Sequence, residues 1–556
     1  MSVTKHSNNP RLSVAMIARD AEHLIAASLD SVREMADEII VADTGSIDRT
    51  RHVALARATH VVTIPWIDDF SAARNACLDR AKGDWVLWLD AGETIDAATA
   101  DEIRRFVDED ADPSQAYLIL VQLPPAQDNL AGEQVARIRL MPNKKEIRFR
   151  GRVRENLRGA LGALGMSIEP TSWCIHRTAA DHDPAIKSRK ARRDLKLAEL
   201  EIRDRGPAAS PLIASGEAWT NLGESRQAID CFQQALALSG RGSTEMLEAY
   251  YGMLATLEPF REPPAERGTV SFCSEDSTKG DSPRRFSQPQ DHDLQIKTCL
   301  EALEIFPFDA QLLCAIASYM QNRGRIDLAN RAYQSAVTHG QINLETWHLT
   351  SLHEVAASCL SLSLELLNQD DDARHVLEEA LSAGGDAVRL RRRLIDLHIK
   401  HDRRKEALEQ VGLLPGQSGQ LDVLRTAVRG ACLAGKKEWN SARTFLQTAY
   451  DAGCRDLVCL RWLAVTLIAC DQPSAAEPIL RQWQAAAPGN LEAQKYVESL
   501  SVQSSATSGS SRVAPLAPAD TERRLRGDVP TSPALGLFPP HSGGFSTVGI
   551  NATSGK

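Results

Sequence analysis

The sequence predicts an α/β domain with a mostly parallel sheet, followed by an all-α solenoid of helical repeats. Two observations support this division. Short apolar runs alternate with helical stretches through residues 10–182, which is the pattern of strands joined by crossover helices. Through residues 207–500, small residues recur instead with a spacing of about 34 residues, as helical repeats do. The 556 residues also exceed what one hydrophobic core organises.

The composition limits the classes of function. Hydrophobic residues at 43% and charged residues at 25% are typical of a globular protein, and a net charge of -9 argues against nucleic acid or an anionic membrane as a general partner. No apolar run approaches the length of about 20 residues that spans a bilayer, so a cytoplasmic protein is expected. The 11 cysteines are scattered without a Cys-x-x-Cys pair, which favours reduced buried thiols over a zinc site or disulfides.

The first 90 residues contain four short apolar runs separated by helical stretches. The predicted strands are residues 12–18, 38–42, 60–64 and 84–89, and the predicted helices are residues 21–35, 48–58 and 72–81, with Ser71 as the N-cap of the third. In the first helix, Leu24, Ile25, Leu29 and Val32 are spaced as one buried face. The first two strands and this helix therefore form a βαβ unit of a parallel sheet.

Acidic residues follow the second and fourth predicted strands, at Asp43 and Asp90. In open α/β sheets the ligand crevice lies at the carboxyl ends of the strands, so the two carboxylates are expected to converge there. Such a pair suits a sugar nucleotide, because one carboxylate binds the base or ribose and the other holds Mg²⁺ or Mn²⁺ against the diphosphate, with Arg74 assisting. The alternative is that each aspartate only caps the turn after its strand.

Three segments in order carry a resemblance to a known family: EIIVADTGSIDRT from residue 38, WIDDFSAARN from residue 66 and GDWVLWLDAGE from residue 83. They resemble family 2 glycosyltransferases of the GT-A fold, in the bacterial branch that often carries tetratricopeptide repeats and includes peptide S-glycosyltransferases. The resemblance covers about residues 10–175 of the domain 10–182. It implies contacts to a nucleoside diphosphate sugar from Asp43 at the base, from Asp68, Asp69, Arg74 and Asn75 along the nucleotide and diphosphate, and from Asp90 at the ribose or metal.

The sequence departs from the family pattern at the metal. Gly92 stands where the family usually has the second aspartate of an Asp-Ala-Asp motif, which is the more direct metal ligand. Asp90 and Glu93 remain as the candidate ligands of an Mn²⁺ or Mg²⁺ ion. The alternative is a domain that has kept its fold and lost catalysis.

A second departure lies beside the candidate base. In the segment 137–157, which resembles the acceptor region of this family, Glu155 falls at the position of the acceptor-activating carboxylate and Arg154 replaces the usual histidine before it. Glu155 is therefore the candidate general base of an inverting transfer. The segment could equally be a solvated hairpin. His176 matches a histidine common in this branch, although a lone histidine is more often structural.

The remainder of the chain is predicted to be helical. Residues 183–206 form a linker helix, and repeats follow over 207–500, with a disordered insertion at about 260–292 and a disordered tail at 501–556. The signature of the second helix, Ala-x₃-apolar-x₂-Ala, occurs in full or with one position relaxed from Ala228, Ala329, Ala373, Ala407, Ala442 and Ala476. The last four copies are 34, 35 and 34 residues apart, which matches the tetratricopeptide period of about 34.

These features predict a glycosyltransferase that moves a sugar from a nucleoside diphosphate sugar to a protein, peptide or glycan acceptor with inversion. The concave face of such repeats commonly binds extended peptides, so a protein or peptide partner is expected there, while a spacer or dimerisation role stays open. The competing hypothesis is a catalytically degenerate glycosyltransferase-like domain that acts with the repeats as a protein-binding scaffold.

Overall fold

The computed structural model describes residues 11–125, 132–257, 291–384, 387–486, 493 and 496–497. The predicted insertion at about 260–292 lies outside the described residues except for positions 291 and 292, at which a helix begins. The predicted tail at 501–556 lies entirely outside them. In the part of the chain that the structure describes, no helix is long and apolar enough to cross a membrane.

The described residues contain a sheet of nine strands, eight of which belong to the N-terminal part. The nine strands are β1 (Leu12–Ala18), β2 (Glu38–Asp43), β3 (His60–Thr63), β4 (Trp85–Trp88), β5 (Glu93–Thr94), β6 (Gln115–Leu123), β7 (Glu133–Pro142), β8 (Ser167–Arg177) and β9 (His348–Leu349). The order is β3-β2-β1-β4-β7-β6-β8-β5, with β9 also pairing with β7. The four strands predicted from the sequence are present and parallel to one another.

The later strands make the sheet mixed rather than mostly parallel throughout. Strand β7 is antiparallel to β4, β6 and β9, β5 is antiparallel to β8, and β6 and β8 are parallel. Strand β6 ends at Leu123 and β7 begins at Glu133, and so short a connection favours antiparallel pairing, because a parallel crossover needs about a dozen residues or more. The α/β class holds, and the parallel part is the half that ends in the predicted acidic residues.

Helices cover both faces of the parallel half. They are α1 (Ile25–Ser31), α2 (Thr50–Leu55), α3 (Phe70–Leu78), α4 (Ala97–Glu109) and α5 (Arg158–Ala163). Alternate β1 side chains enter two cores, because Val14 and Met16 pack in the cluster that contains Leu29 of α1, whereas Ala15 and Ile17 pack in the cluster that contains α3. Burial on both faces explains why β1 is apolar at nearly every position.

The predicted N-cap of α3, Ser71, is wrong, because the cap lies two residues earlier. Asp69, in an extended conformation, accepts a hydrogen bond from the backbone N of Ala72 at 2.9 Å and is the N-cap. Ser71 lies inside the first turn, where its hydroxyl donates to the Asp69 carboxylate at 2.7 Å. Both residue types are good caps, and the extended backbone at Asp69 decides between them.

The second part of the chain is helical. Its helices are α6 (Pro184–Arg205), α7 (Ala209–Asn221), α8 (Ser225–Leu238), α9 (Thr244–Leu257), α10 (Asp291–Leu303), α11 (Ala310–Asn322), α12 (Ile326–His339), α13 (Leu352–Leu366), α14 (Asp370–Ser382), α15 (Ala387–Lys400), α16 (Arg404–Gly412), α17 (Ser418–Gly435), α18 (Trp439–Asp451), α19 (Leu457–Ala469) and α20 (Pro473–Ala486). Helix α6 occupies most of the predicted linker.

The packing of these helices confirms the predicted solenoid of repeats. Ala228, Phe232 and Ala235 of the first signature are fully buried, as are the corresponding residues of the copy that starts at Ala329. A Cβ atom on Gly216 of α7 or Gly252 of α9 would lie 2.7 Å or 2.3 Å from the ring of Phe232. The glycines thus let three consecutive helices close around one aromatic ring.

One segment interrupts the repeats. Ala329 and Ala373 begin consecutive signatures but stand 44 residues apart, against a period of about 34. The additional residues lie between α12 and α13 and contain β9. In β9, His348 pairs with Gln134 and Leu349 with Glu133, so the repeats contribute a strand to the sheet of the N-terminal domain.

Candidate active site

A cavity of about 250 Å³ lies at the carboxyl end of β4. The sheet contributes Trp88, Asp90, Arg137, Arg139 and Arg177, and the segment after β7 contributes Phe149 and residues 154–158. The repeats contribute a further part of the lining, with Ser210, Glu217, Thr244, Glu245, Glu248, Glu345 and Trp347. The cavity is therefore formed by both parts of the chain.

Asp90 is the buried acid at the end of β4. Its Oδ1 accepts from the indole N–H of Trp88 at 2.8 Å and lies 3.2 Å from Arg74 Nη1, and its Oδ2 accepts from Arg139 at 3.0 Å. Burial on its own raises the pKa of Asp90, but the charges of Arg74, Arg139 and Arg177 outweigh it, so the pKa is lowered. Asp90 is held as a carboxylate among arginines.

Glu93 shares one of these arginines with Asp90. Nη2 of Arg139 lies 2.7 Å from Glu93 Oε1 as well as 3.0 Å from Asp90 Oδ2. The other Glu93 oxygen accepts from the backbone N of Asp90 at 2.9 Å. Burial raises the pKa of Glu93, against the opposing charge of Arg139. All four carboxylate oxygens of this pair therefore have protein donors.

This donor set does not fit a divalent cation. Mg²⁺ takes oxygen ligands at about 2.0–2.1 Å in a near-octahedral arrangement, whereas Asp90 and Glu93 face the N–H groups of Arg74 and Arg139. Among the described residues, no group of three or more His, Cys, Asp or Glu side chains is placed to hold a metal ion. The Mn²⁺ or Mg²⁺ ion predicted at Asp90 and Glu93 stays a prediction, and no catalytic step is derived through it.

Gly92 has a conformational reason to be glycine. Its φ is +94°, in the region that side chains disfavour. Its N donates to the Ser28 hydroxyl at 2.9 Å and its O accepts from the backbone N of Thr178 at 3.2 Å, so the turn between β4 and β5 is fixed on both sides. An aspartate here would strain this turn.

Gly92→Ala is expected to lower the free energy of unfolding by about 1–2 kcal/mol, because a side chain must adopt the left-handed region. Urea denaturation of the full chain measures this loss. Gly159→Ala is the matched control, since Gly159 lies in α5 and its added Cβ would meet no atom within 4 Å. Equal stability changes in the two variants would contradict this interpretation of the turn.

Glu155 has the chemistry of a base. Its Oε1 accepts from Arg74 Nε at 2.6 Å, and its buried Oε2 has no hydrogen-bond partner among the described residues. Burial raises the pKa of Glu155 to about 7, with the charge of Arg74 opposing the rise. A carboxylate that titrates near neutral pH and keeps one oxygen unpaired in a cavity is suited to accept a proton.

Arg74 joins Asp90 to Glu155. Its guanidinium lies over the rings of Trp88 at 4.5 Å and Phe149 at 5.1 Å, which fixes it between the two carboxylates. Asn75, the next residue, accepts from the backbone N of Phe149 and donates to its O, both at 2.9 Å. The predicted Arg-Asn pair thus holds the segment that carries Glu155.

Four of the predicted nucleotide-binding residues do not line this cavity: Asn75, described above, and Asp43, Asp68 and Asp69. Asp43 accepts from the backbone N and hydroxyl of Ser46 and so caps the turn after β2. Asp68 pairs with Lys196 of α6 at 2.8 Å, and Asp69 is the cap of α3. Their contacts to a nucleotide stay predictions.

Several lining residues were not predicted as site residues, above all the arginines of β7. Arg137 and Arg139 are two residues apart, and the register between β6 and β7 shifts so that Leu118 pairs with Ile138 and Tyr117 with Leu140. Arg139 therefore has no partner in β6. Such irregularities change the direction of side chains next to active sites. The sequence signal that could have indicated these two site residues is the alternation of arginine in this segment.

Arg154 connects the site to the repeats. It has a φ of +53° and its side chain donates to Glu217 at 2.7 Å and to Glu248, which belong to α7 and α9. The charges of both glutamates raise the pKa of Arg154 against the effect of burial. The residue in the place of the family's histidine is thus buried in an ion-pair cluster. His176 is exposed and does not line the cavity.

The backbone of the interrupting segment is also fixed at the cavity. Ala136 donates to the backbone O of Leu344 at 2.5 Å, and Arg137 Nη1 donates to the backbone O of Glu345 at 2.6 Å. Thr350 donates its backbone N to Gly132 at 2.9 Å. These bonds place Glu345 and Trp347 beside the arginines of β7.

Glu133, at the start of β7, is expected to destabilise the fold at alkaline pH. Burial raises its pKa to about 7, and its Oε2 has no hydrogen-bond partner among the described residues. In the unfolded chain a glutamate has a pKa of about 4.3, so below this pH Glu133 is protonated in both states and the free energy of unfolding is not reduced. As the pH rises from there through 7, the unfolded state gives up the proton more readily, and the free energy of unfolding falls. Glu133→Gln is therefore expected to raise the free energy of unfolding at pH 8 by about 1–3 kcal/mol and to leave it unchanged at pH 4. Equal effects at the two pH values in urea titrations would contradict this.

The buried carboxylates and arginines at the carboxyl end of β4 define an α/β domain with a candidate ligand site at the carboxyl edge of its sheet. Residues 13–139 match the family model described as Glycosyl transferase family 2. The N-terminal part of this chain is a domain of that family. The repeats that follow it are of the tetratricopeptide type.

Comparison with known proteins finds relatives of part of this chain. A TPR repeat-containing protein of Synechococcus elongatus is 35% identical over 167 residues, which are 30% of this chain and 39% of that protein. The SPbeta prophage-derived glycosyltransferase SunS of Bacillus subtilis is 24% identical over 41% of this chain and 54% of its own length. A tetratricopeptide repeat protein from Parabacteroides merdae, whose structure is solved, is 11% identical with a TM-score of 0.36, over 53% of this chain and 98% of its own. This chain thus spans only part of the curated relatives it matches.

Proposed function

We propose that this chain transfers a sugar from a nucleoside diphosphate sugar to a protein, peptide or glycan acceptor, with inversion at the anomeric carbon. The observation that carries the proposal is Glu155, a buried carboxylate with a pKa of about 7 and one unpaired oxygen in a cavity that also holds Asp90 and several arginines. A base and a cluster of cations in one cavity are what a displacement with an anionic leaving group requires.

The reaction is a single displacement. The acceptor atom forms a bond to the anomeric carbon as the bond to the diphosphate oxygen breaks, and the proton of the acceptor passes to Oε2 of Glu155. Arg74 holds the other Glu155 oxygen at 2.6 Å, so the free oxygen keeps a fixed direction. One displacement inverts the anomeric configuration. The electron pair of the broken bond leaves with the nucleoside diphosphate, whose charge the arginines of the cavity stabilise.

The repeat residues in the cavity lining support selection of the acceptor by the repeats. Glu217, Glu248 and Trp347 come from the repeats and face the same space as Glu155. An acceptor that reaches Glu155 would therefore meet side chains of both parts of the chain. A protein or peptide bound by the repeats would bring its acceptor group to this part of the lining.

The second candidate function is a scaffold without turnover. Arg154 favours it, because this residue forms buried ion pairs with Glu217 and Glu248 at the position where the family usually has a histidine beside the base. In that case the cavity binds a nucleotide and the repeats bind a partner, with no transfer between them.

The test is release of nucleoside diphosphate by the full chain from a panel of UDP-, GDP-, ADP-, CDP- and dTDP-sugars, with nucleotide binding measured in parallel. Turnover, with an inverted product anomer observed by NMR, is the expected result. Binding without release from any donor, including in the presence of peptide and glycan acceptors, would support the scaffold. Absence of nucleotide binding would overturn both functions.

A further inference from the structure

We propose that Arg74 and Arg139 take the place of a divalent cation and bind the diphosphate of the donor directly. The inference rests on the proposed function, because it assigns the group that receives the leaving nucleoside diphosphate. It concerns a different step from proton transfer to Glu155. The ligand class is a nucleoside diphosphate, and no metal ion is part of its binding site.

The first argument is that the acids of this site are already neutralised by protein cations. Arg139 spans Asp90 and Glu93 with distances of 3.0 Å and 2.7 Å, and Arg74 lies 3.2 Å from Asp90. Gly92 occupies the position of the family's second aspartate and supplies no carboxylate. An aspartate there would be strained, because the φ of this residue is +94°. A cation entering between the two acids would have to displace Arg139.

The second argument is an unused donor on Arg139. Arg139 is 6% exposed and lines the cavity, and its buried Nε has no hydrogen-bond partner among the described residues. A buried N–H without an acceptor costs free energy, so a ligand that supplies an acceptor oxygen is favoured. Phosphate oxygens match the planar donor geometry of a guanidinium group.

The third argument is the placement of Arg139 by the sheet. The register shift between β6 and β7 leaves Arg139 without a partner in β6, and its guanidinium lies against the acids at the end of β4. Arg74 reaches the same acids from α3. The stacking of Arg74 on Trp88 and Phe149 further limits its motion. Two cations fixed from two elements form a preorganised anion site, which costs little reorganisation on binding.

The charge of the cavity is consistent with an anionic ligand. Six arginines line it: Arg74, Arg137, Arg139, Arg154, Arg158 and Arg177. Burial lowers the pKa of Arg137 to about 9, as expected for a desolvated cation. The alternative is that the arginines only neutralise the protein's own buried acids and bind no ligand.

Calorimetric titration of the full chain with UDP, GDP, ADP, CDP and dTDP, in EDTA and then in MnCl₂ or MgCl₂, distinguishes these possibilities. We expect at least one nucleotide to bind in EDTA with a Kd that changes less than about threefold when metal is added. Binding that occurs only with metal would overturn the inference and leave the proposed function standing. If no nucleotide binds under either condition, the proposed function itself fails.

Substitution of Arg139 gives the second readout. Arg139→Gln is expected to weaken nucleotide binding in EDTA by about 10- to 100-fold, the loss of a charge-assisted hydrogen bond. It also releases Asp90 and Glu93, so binding by this variant is expected to become stronger with Mn²⁺. A gain of metal response is not a result that misfolding produces.

Two further variants complete the test. Arg139→Lys keeps the charge and is expected to retain metal-independent binding with an intermediate Kd. Arg148→Gln removes an arginine that pairs with Asp79 on the surface, outside the cavity lining, and is expected to bind like the unmodified chain. If Arg139→Gln and Arg139→Lys both bind nucleotide in EDTA as tightly as Arg148→Gln, the diphosphate does not contact Arg139 and the inference is wrong.

Discussion

Glu155→Gln is expected to lower the rate of sugar transfer by about 10²- to 10⁴-fold, because the amide cannot accept the proton of the acceptor. Nucleotide affinity is expected to change less than about threefold, since the amide oxygen can still accept from Arg74 and the carboxylate is already partly protonated near pH 7. Steady-state turnover and calorimetric titration on the same preparation separate the two effects.

The pH dependence of transfer provides an independent readout. Because burial raises the pKa of Glu155 to about 7, the base form is the minor form below this pH and the major form above it. Turnover by the unmodified chain is therefore expected to rise through pH 7 and to level off above it, whereas the residual rate of Glu155→Gln loses this limb.

Glu146→Gln is the matched control for this prediction, because Glu146 is an exposed glutamate in the same segment after β7. It is expected to leave rate and pH profile unchanged. Two results for Glu155→Gln would show that Glu155 is not the base. One is full turnover, and the other is a fall of the transfer rate and of nucleotide affinity by the same factor.

The sequence predicts the parallel half of the fold well because its signals are local. A buried strand such as β1 is apolar at almost every position, and the acid that follows β4 ends such a run. Asp90, Arg74 and Glu155 are far apart in the chain, yet each lies in a segment that resembles the family. The resemblance therefore selected three residues that the structure brings into contact.

The remainder of the site depends on long-range contacts that leave no local pattern. Strand β9 has two residues, His348 and Leu349, which is too short for an alternation to be recognised. Its only trace in the sequence is the long spacing between Ala329 and Ala373. Glu217 and Glu248 belong to repeat helices, where a glutamate normally indicates a solvated face. Only the fold shows that these two reach Arg154.

Arg154→Gln is expected to lower the free energy of unfolding by about 3–5 kcal/mol. This is the cost of removing one partner of a buried ion pair and leaving the other charge uncompensated. The side chains of Arg154, Glu217 and Glu248 are 7%, 9% and 11% exposed. Removal of the cation leaves two carboxylates, one on α7 and one on α9, close together and away from water. Chemical denaturation of the full chain measures the loss.

The triple variant Arg154→Gln, Glu217→Gln, Glu248→Gln tests whether charge is the cause. It removes all three charges and keeps three polar side chains that can bond to one another, so it is expected to regain most of the lost stability. Arg148→Gln is the surface control, because Arg148 pairs with Asp79, whose side chain is 60% exposed, and it is expected to cost less than about 1 kcal/mol. If Arg154→Gln costs no more than Arg148→Gln, this ion-pair cluster contributes little to holding the repeats against the N-terminal domain.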